Sequence, residues 1–122
     1  MLKNYIVIYT SKDGIVKVDT TLDNETIWMS QNELAKLFDT TKNNISLHMK
    51  NIFESGELVE SATVKNFLTV QKEGTREVKR MVIHYNLDAI IAVGYRINSK
   101  RATDFRIWAT KILKEYMTKG FA

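Results

Sequence analysis

Cysteine and proline are absent from the sequence, and histidine occurs only twice, as His48 and His84. Without cysteine there is no disulfide scaffold and no thiolate zinc or iron–sulfur site. Two histidines argue against a metal site built from protein ligands alone, so neither a metal nor a cofactor is expected. Apolar runs such as IIAV (residues 90–93) fall far short of the roughly 20 residues that cross a bilayer. The opening MLKNYIVIYTSKDG turns polar too soon for a signal peptide. A soluble cytoplasmic protein with no membrane partner is expected.

What is present suits one folded domain. The chain has 122 residues, 44% hydrophobic and 26% charged, enough to bury a core and unlike a disordered segment. Net charge is +4 but unevenly spread. Residues 1–61 hold six Lys/Arg against nine Asp/Glu (−3), and residues 62–122 hold twelve against five (+7). That asymmetry suggests a side facing a polyanion, though a basic surface alone is weak support for nucleic acid.

No repeat, low-complexity tract or linker divides the chain, so residues 1–122 read as a single domain. YIVIYT (residues 5–10) and IVKV (15–18) are rich in β-branched and aromatic residues, and Asp13-Gly14 between them suits a hairpin turn. After the polar stretch DTTLDNE, residues 26–29 add a third short strand, closing an N-terminal β-unit over residues 5–29. Ser30 then stands at a helix N-cap with Glu33 at capping-box spacing, and Met29 and Leu34 form a hydrophobic staple. This predicts a helix over residues 31–38 with Leu34, Ala35, Leu37 and Phe38 inward. Asp39-Thr40-Thr41 interrupts it, and Thr41 caps a second helix whose Ile45, Met49, Ile52 and Phe53 keep helical spacing until Gly56.

Over residues 63–85 the period changes to two: VKNFLTV and EVKRMVIHY read as strands joined by QKEGTR, with Gly74 at the turn. Asn86 caps a short helix LDAIIAVGY, with Tyr85 and Ile90 in staple positions. Residues 99–119 form an amphipathic helix. Ala102, Phe105, Trp108, Ala109, Ile112, Leu113 and Tyr116 make its inner stripe, and Arg101, Asp104, Arg106, Lys111, Lys114 and Glu115 its outer face. Gly120 ends it. The expected fold class is α+β: a winged helix-turn-helix-like core (helix-turn-helix 30–55, basic β-hairpin 63–85) with an N-terminal β-hairpin and two C-terminal helices over 86–119.

Function is read from that pattern. Ala35 supplies a small residue where the first helix crosses the second, and Leu34, Phe38 and Ile45 lock the crossing. The second helix then stands proud of the surface, with its first turns free to enter a major groove. Thr41, Lys42, Asn43, Ser46, Leu47 and Lys50 are left outward. Asn43 suits adenine edges and Lys42 and Lys50 suit guanine or phosphate, while Asn44 serves either the DNA or the helix cap. Lys72, Arg76, Lys79 and Arg80 cluster around the hairpin turn, where a wing would follow the phosphate backbone, with Glu73 and Glu77 reducing their effect. Singly, each is better explained as a solvated edge-strand charge; together, just after the two helices, they favour phosphate contact.

Some features depart from the pattern. Asp39 stands where glycine is common, Thr40 where an apolar residue is usual, and His48 where an aliphatic one is, with Met49 available to take over that packing. Lys100, Arg101 and Arg106 offer a second phosphate patch or simply a solvated helix face. Trp28 and Trp108 read as core anchors, and Tyr85, Tyr95 and Phe105 as packing. His48 and His84 read as surface or half-buried residues, and His84 has no assignable carboxylate partner. No GxSxG, P-loop, GxGxxG or HExxH arrangement occurs, so no catalytic residue is named and an enzyme is not expected.

WMSQNELAKLFDTTKNNISLHMKNIFESGEL, VKNFLTVQKEG and YNLDAIIAVGYRINSKRATDFRIWATKILKEYMTKGF together resemble the RhuM family of bacterial virulence-associated proteins, over nearly the whole chain. The block NLDAIIAVGYR…SKRATDFRIWAT is the most specific part. Looser similarity links Tyr95-Arg96, Lys100-Arg101-Ala102 and Phe105-Arg106-Ile107-Trp108-Ala109-Thr110 to BRO-type N-terminal DNA-binding domains. The first resemblance implies the N-terminal part of a longer protein and a tie to virulence loci, without a biochemical activity. The second implies DNA binding. The expected partner is double-stranded DNA, bound in transcriptional regulation or mobile-element biology, and a homodimer is compatible with half-site reading. The alternative is a protein-interaction or dimerisation module, favoured slightly by the outward Leu47. A nuclease lacks a metal-ligand cluster.

Overall fold

The computed structural model describes residues 4–23 and 26–119. The order of elements is β1 (Asn4–Thr10), β2 (Lys17–Asp23), β3 (Thr26–Ser30), α1 (Gln31–Leu37), α2 (Lys42–Glu54), α3 (Glu60–Thr63), β4 (Val64–Glu73), β5 (Arg76–Asn86), α4 (Leu87–Ile97) and α5 (Ser99–Lys119). The fold is mixed α+β, with the expected N-terminal hairpin and two C-terminal helices. The two hairpins, read from the sequence as separate units, form one antiparallel five-stranded sheet in the order β1-β2-β3-β5-β4. The seam is the pairing of Trp28, Met29 and Ser30 with Asn86, Tyr85 and His84.

Strand β2 departs furthest from expectation. Residues 11–16 form a turn in which the Asp13 carboxylate accepts from the Ser11 hydroxyl (2.6 Å) and the Ile15 amide (3.0 Å), and Gly14 takes φ 75°. The strand therefore begins at Lys17 and runs through the stretch read as polar loop. The reason is alternation: Val18, Thr20 and Leu22 enter the core while Asp19, Thr21 and Asp23 occupy the other face. Thr20 is accommodated there by donating to the Val7 carbonyl at 2.6 Å.

All five helices are short-range events that the sheet then organises. The Ser30–Glu33 capping box is formed in both directions: the Glu33 amide donates to Ser30 Oγ (3.3 Å) and the Ser30 amide to Glu33 Oε1 (2.8 Å). Asp39 ends α1 in the left-handed region at φ 54°, a conformation that aspartate tolerates. Thr41 caps α2 through the Asn44 amide at 3.1 Å, and Asn86 caps α4 through the Ala89 amide at 3.1 Å. Leu34, Leu37, Phe38, Ile45, Met49 and Ile52 are buried between α1, α2 and α4. Ala102, Phe105 and Ala109 bury the inner stripe of α5, with Trp108 edge-on to Tyr9 at 5.0 Å. The short α3 was not anticipated, and Gly120 lies outside the described residues.

Helices cover one face of the sheet, the one carrying Tyr9, Val18, Leu22, Ile27, Met29 and Tyr85. The opposite face carries Trp28, Phe67 and His84. Trp28 is thus not an anchor of the main core. It is half-buried against Phe67 (5.7 Å between ring centres) on the sheet's other side. Tyr95 is exposed rather than packed, and its hydroxyl accepts from Arg106 Nε at 3.4 Å.

Candidate nucleic-acid interface

The turn between α1 and α2 fixes how the second helix is displayed. The Thr40 amide donates to the Ala35 carbonyl (2.9 Å), and the Asn44 side chain donates to Thr40 Oγ1 (2.9 Å). Asn44 is therefore spent on the turn, which removes it as a base reader. Thr41, Lys42, Asn43, Ser46 and Lys50 are all exposed along one side of α2. Thr41 combines exposure with its capping role. Lys50 lies 3.9 Å from Glu54, an exposed pair of little energetic weight. No acidic residue sits in the first turn of α2, so the positive end of the helix dipole and Lys42 act together. His48 is half-buried beside the buried Met49, which fills the expected aliphatic place.

The hairpin cations are not one cluster. The turn is only Gly74-Thr75, with Glu73 paired to Arg76, so strand alternation divides the four residues between two faces. Lys72 and Lys79 share the helix-side face, which also carries Tyr85. Arg76 and Arg80 lie on the other, where Arg80 donates to Glu73 Oε2 (2.7 Å from Nη2). The structure thus brings Lys72 and Lys79 to the side where α2 lies, whereas Arg80 is already engaged and Arg76 occupies the hairpin tip. A shallow groove bordered by Gln31, Asn32, Lys42, Met81 and Ile83 joins the start of α2 to the hairpin.

The second phosphate patch is largely engaged in the fold. Arg101, expected on the outer face of the last helix, is half-buried and donates to the Leu37 carbonyl at 3.0 Å, satisfying the end of α1. Lys100 pairs with Asp104 (3.4 Å).

Sequence reasoning missed the character of the opposite sheet face. A groove of about 520 Å³ opens there, lined by Asp19, Thr21, Glu33, Phe67 and His84 and reaching Leu68 and Val70 of the hairpin, with no lysine or arginine among its described lining residues. Burial pushes the Glu33 carboxyl above its ordinary range, opposed by its bonds to Ser30.

His84 is fully buried, not at the surface. Its Nδ1 lies 2.9 Å from the Val82 carbonyl and its ring stands edge-on to Phe67 at 4.9 Å. Burial holds its pKa below the ordinary 6.5. The sign follows: as pH falls below 6.5 the unfolded chain takes up a proton that the folded chain refuses, so stability is lost on acidification. Urea midpoints at pH 7.5 and about 5.5 should differ less for His84→Leu than for the native chain. An equal drop in both would remove His84 from the cause.

Among the described residues no group of three His, Cys, Asp or Glu could hold a metal, and no described helix is long and apolar enough to cross a membrane. No curated protein and no solved structure matches the chain. The model of the virulence protein RhuM family matches residues 62–122, covering the hairpin, α4 and α5 but not the α1–α2 unit. On that match over half its length, the chain belongs to the RhuM family of virulence proteins.

Proposed function

We propose that the chain is a double-stranded DNA-binding domain, in which α1 and α2 act as a helix-turn-helix and the β4–β5 hairpin as its wing. The observation that carries this reading is the exposed polar face of Lys42, Asn43, Ser46 and Lys50 on a helix propped by a buried partner, with Lys72 and Lys79 facing the same side. Lys42 and Asn43, in the first turn of α2, are the base readers, worth about 1–3 kcal/mol of discrimination each. Lys50, Lys72, Lys79 and Arg76 hold phosphates. The likeness of the last block to BRO-type domains points the same way.

Mobility shifts with mixed genomic fragments, followed by anisotropy titration on a selected site, test the proposal. With these four phosphate contacts, affinity should fall on the order of a hundredfold between roughly 50 and 200 mM salt. Lys42→Ala with Asn43→Ala should remove the preference for the selected site, bring binding down to the level of random duplex, and leave the unfolding midpoint unchanged. Binding insensitive to salt, or a preference surviving both substitutions, would refute it. A second reading, an interaction module without DNA, is favoured by the exposed Leu47 on the same face of α2.

A further inference from the structure

The β4–β5 hairpin outruns the sheet that carries it. β5 pairs with β3 only through His84, Tyr85 and Asn86, so from Arg76 to Ile83 its one strand neighbour is β4. Eight residues at about 3.3 Å each make an arm of roughly 25 Å. A two-stranded ribbon of this kind is marginally stable in water by itself. Its composition makes matters worse, because one face is apolar and open to solvent. Cross-strand register sets Leu68 opposite Met81, Asn66 opposite Ile83, Val70 opposite Lys79 and Lys72 opposite Glu77, all on one side. Leu68, Val70, Met81 and Ile83 are 61, 58, 62 and 49% exposed. Contiguous apolar surface of this kind marks a contact site.

We propose that this face is a wedge for the minor groove of duplex DNA, and that the domain bends the duplex it binds. The inference rests on the DNA-binding reading above and adds what the arm does. Two observations select a nucleic acid as the occupant. The apolar stripe runs into Lys79 and Lys72 on its own face and Arg76 at the tip, and the arm nets +2, from Lys72, Arg76, Lys79 and Arg80 against Glu73 and Glu77. The stripe is continuous with the shallow groove that reaches Lys42, so wedge and reading helix address one ligand. Leu68 and Met81, the most exposed apolar residues of the stripe and a cross-strand pair, press against sugars and partly unstack a base step, while the lysines hold the flanking phosphates. Flexible pyrimidine–purine steps, and duplexes already weakened by a gap, yield at least cost.

The test uses an end-labelled duplex of about 30 bp, intact or with a one-nucleotide gap at its centre. Anisotropy reports binding and energy transfer between the ends reports bending. The native chain should raise transfer at saturation and bind the gapped duplex about tenfold more tightly than the intact one. Leu68→Ser with Met81→Ser should still bind intact duplex, yet lose both the rise in transfer and the preference for the gap. Because both side chains are exposed, the unfolding midpoint serves as the control for folding. Binding by the native chain without a rise in transfer overturns the wedge alone. Equal bending by the serine variant overturns it too. No binding to either duplex overturns the DNA reading along with it. If light scattering shows a native dimer that the serine variant dissolves, the face belongs to a second copy and the wedge is wrong.

Discussion

Gly94→Ala is expected to destabilise the fold by about 3 kcal/mol, although the same change in an open helix gains up to about 1 kcal/mol. The sign reverses because of where Gly94 lies. A Cβ built there stands 2.5 and 2.7 Å from Cζ and Cε1 of Phe38 and 2.8 Å from Cβ of Ala102. These are the C-cap of α1 and the first turn of α5, so Gly94 is the point where α1, α4 and α5 converge. Phe38 and Ala102 are 1 and 0% exposed, which leaves neither an easy way to retreat. Urea unfolding measures the effect. Shrinking the ring in the same background, Phe38→Leu, should recover part of the loss, since the two changes share one volume. An unchanged or raised midpoint for Gly94→Ala would mean that the α4–α5 crossing opens freely. The position of α2, which rests on α4, would then be less firmly held than the contact implies.

The parts of this fold that were legible in the sequence are those whose causes lie within a few residues. Ser30 with Glu33, Thr41 and Asn86 mark helix starts because a cap is a bond from a side chain to an amide three positions on. Asp39 marks the break for a similar local reason. The seam between β3 and β5 was not legible, because it joins residues more than fifty positions apart and is set by packing against shared helices. The same distance hid His84: a strand reading VIHY does not say which face meets Phe67. Arg101 sits on the outward side of its own helix, and only the arrival of the end of α1 turns it into a cap. The division of the β4–β5 hairpin's cations was partly legible. Once the turn is cut to Gly74-Thr75, parity alone puts Lys72 with Lys79 and Arg76 with Arg80. The exposed side of α2 was read from spacing, and Thr41, Lys42, Asn43, Ser46 and Lys50 are all exposed.

Lys65→Met should cost about 3 kcal/mol, the lower end of what breaking a buried ion pair costs, because Lys65 keeps part of its surface in water. Its partner does not: Asp23 is 2% exposed, and its Oδ2 accepts from Lys65 Nζ. The other carboxylate oxygen, Oδ1, has no hydrogen-bond partner among the described residues. The ammonium also lies 5.1 Å from the Phe67 ring centre and 5.8 Å from that of Trp28, so two aromatic faces share its charge. Methionine keeps the length of the side chain and its contact with the rings while removing the charge, which isolates the electrostatic loss. A four-corner cycle with Asp23→Asn checks the assignment. The double variant should regain more than half the loss, because a neutral amide needs no counter-ion. A cost below about 1 kcal/mol would place the pair with ordinary surface salt bridges. The consequence extends past stability. Strands β2 and β4 are not neighbours in the sheet, so this pair ties the root of the projecting arm to the N-terminal hairpin across β3 and β5. With the tie gone, amide exchange should quicken first at Val64 to Phe67, at the base of the arm, and only later in α1 and α2. Simultaneous release of all three would instead show that the arm has no stability of its own to lose.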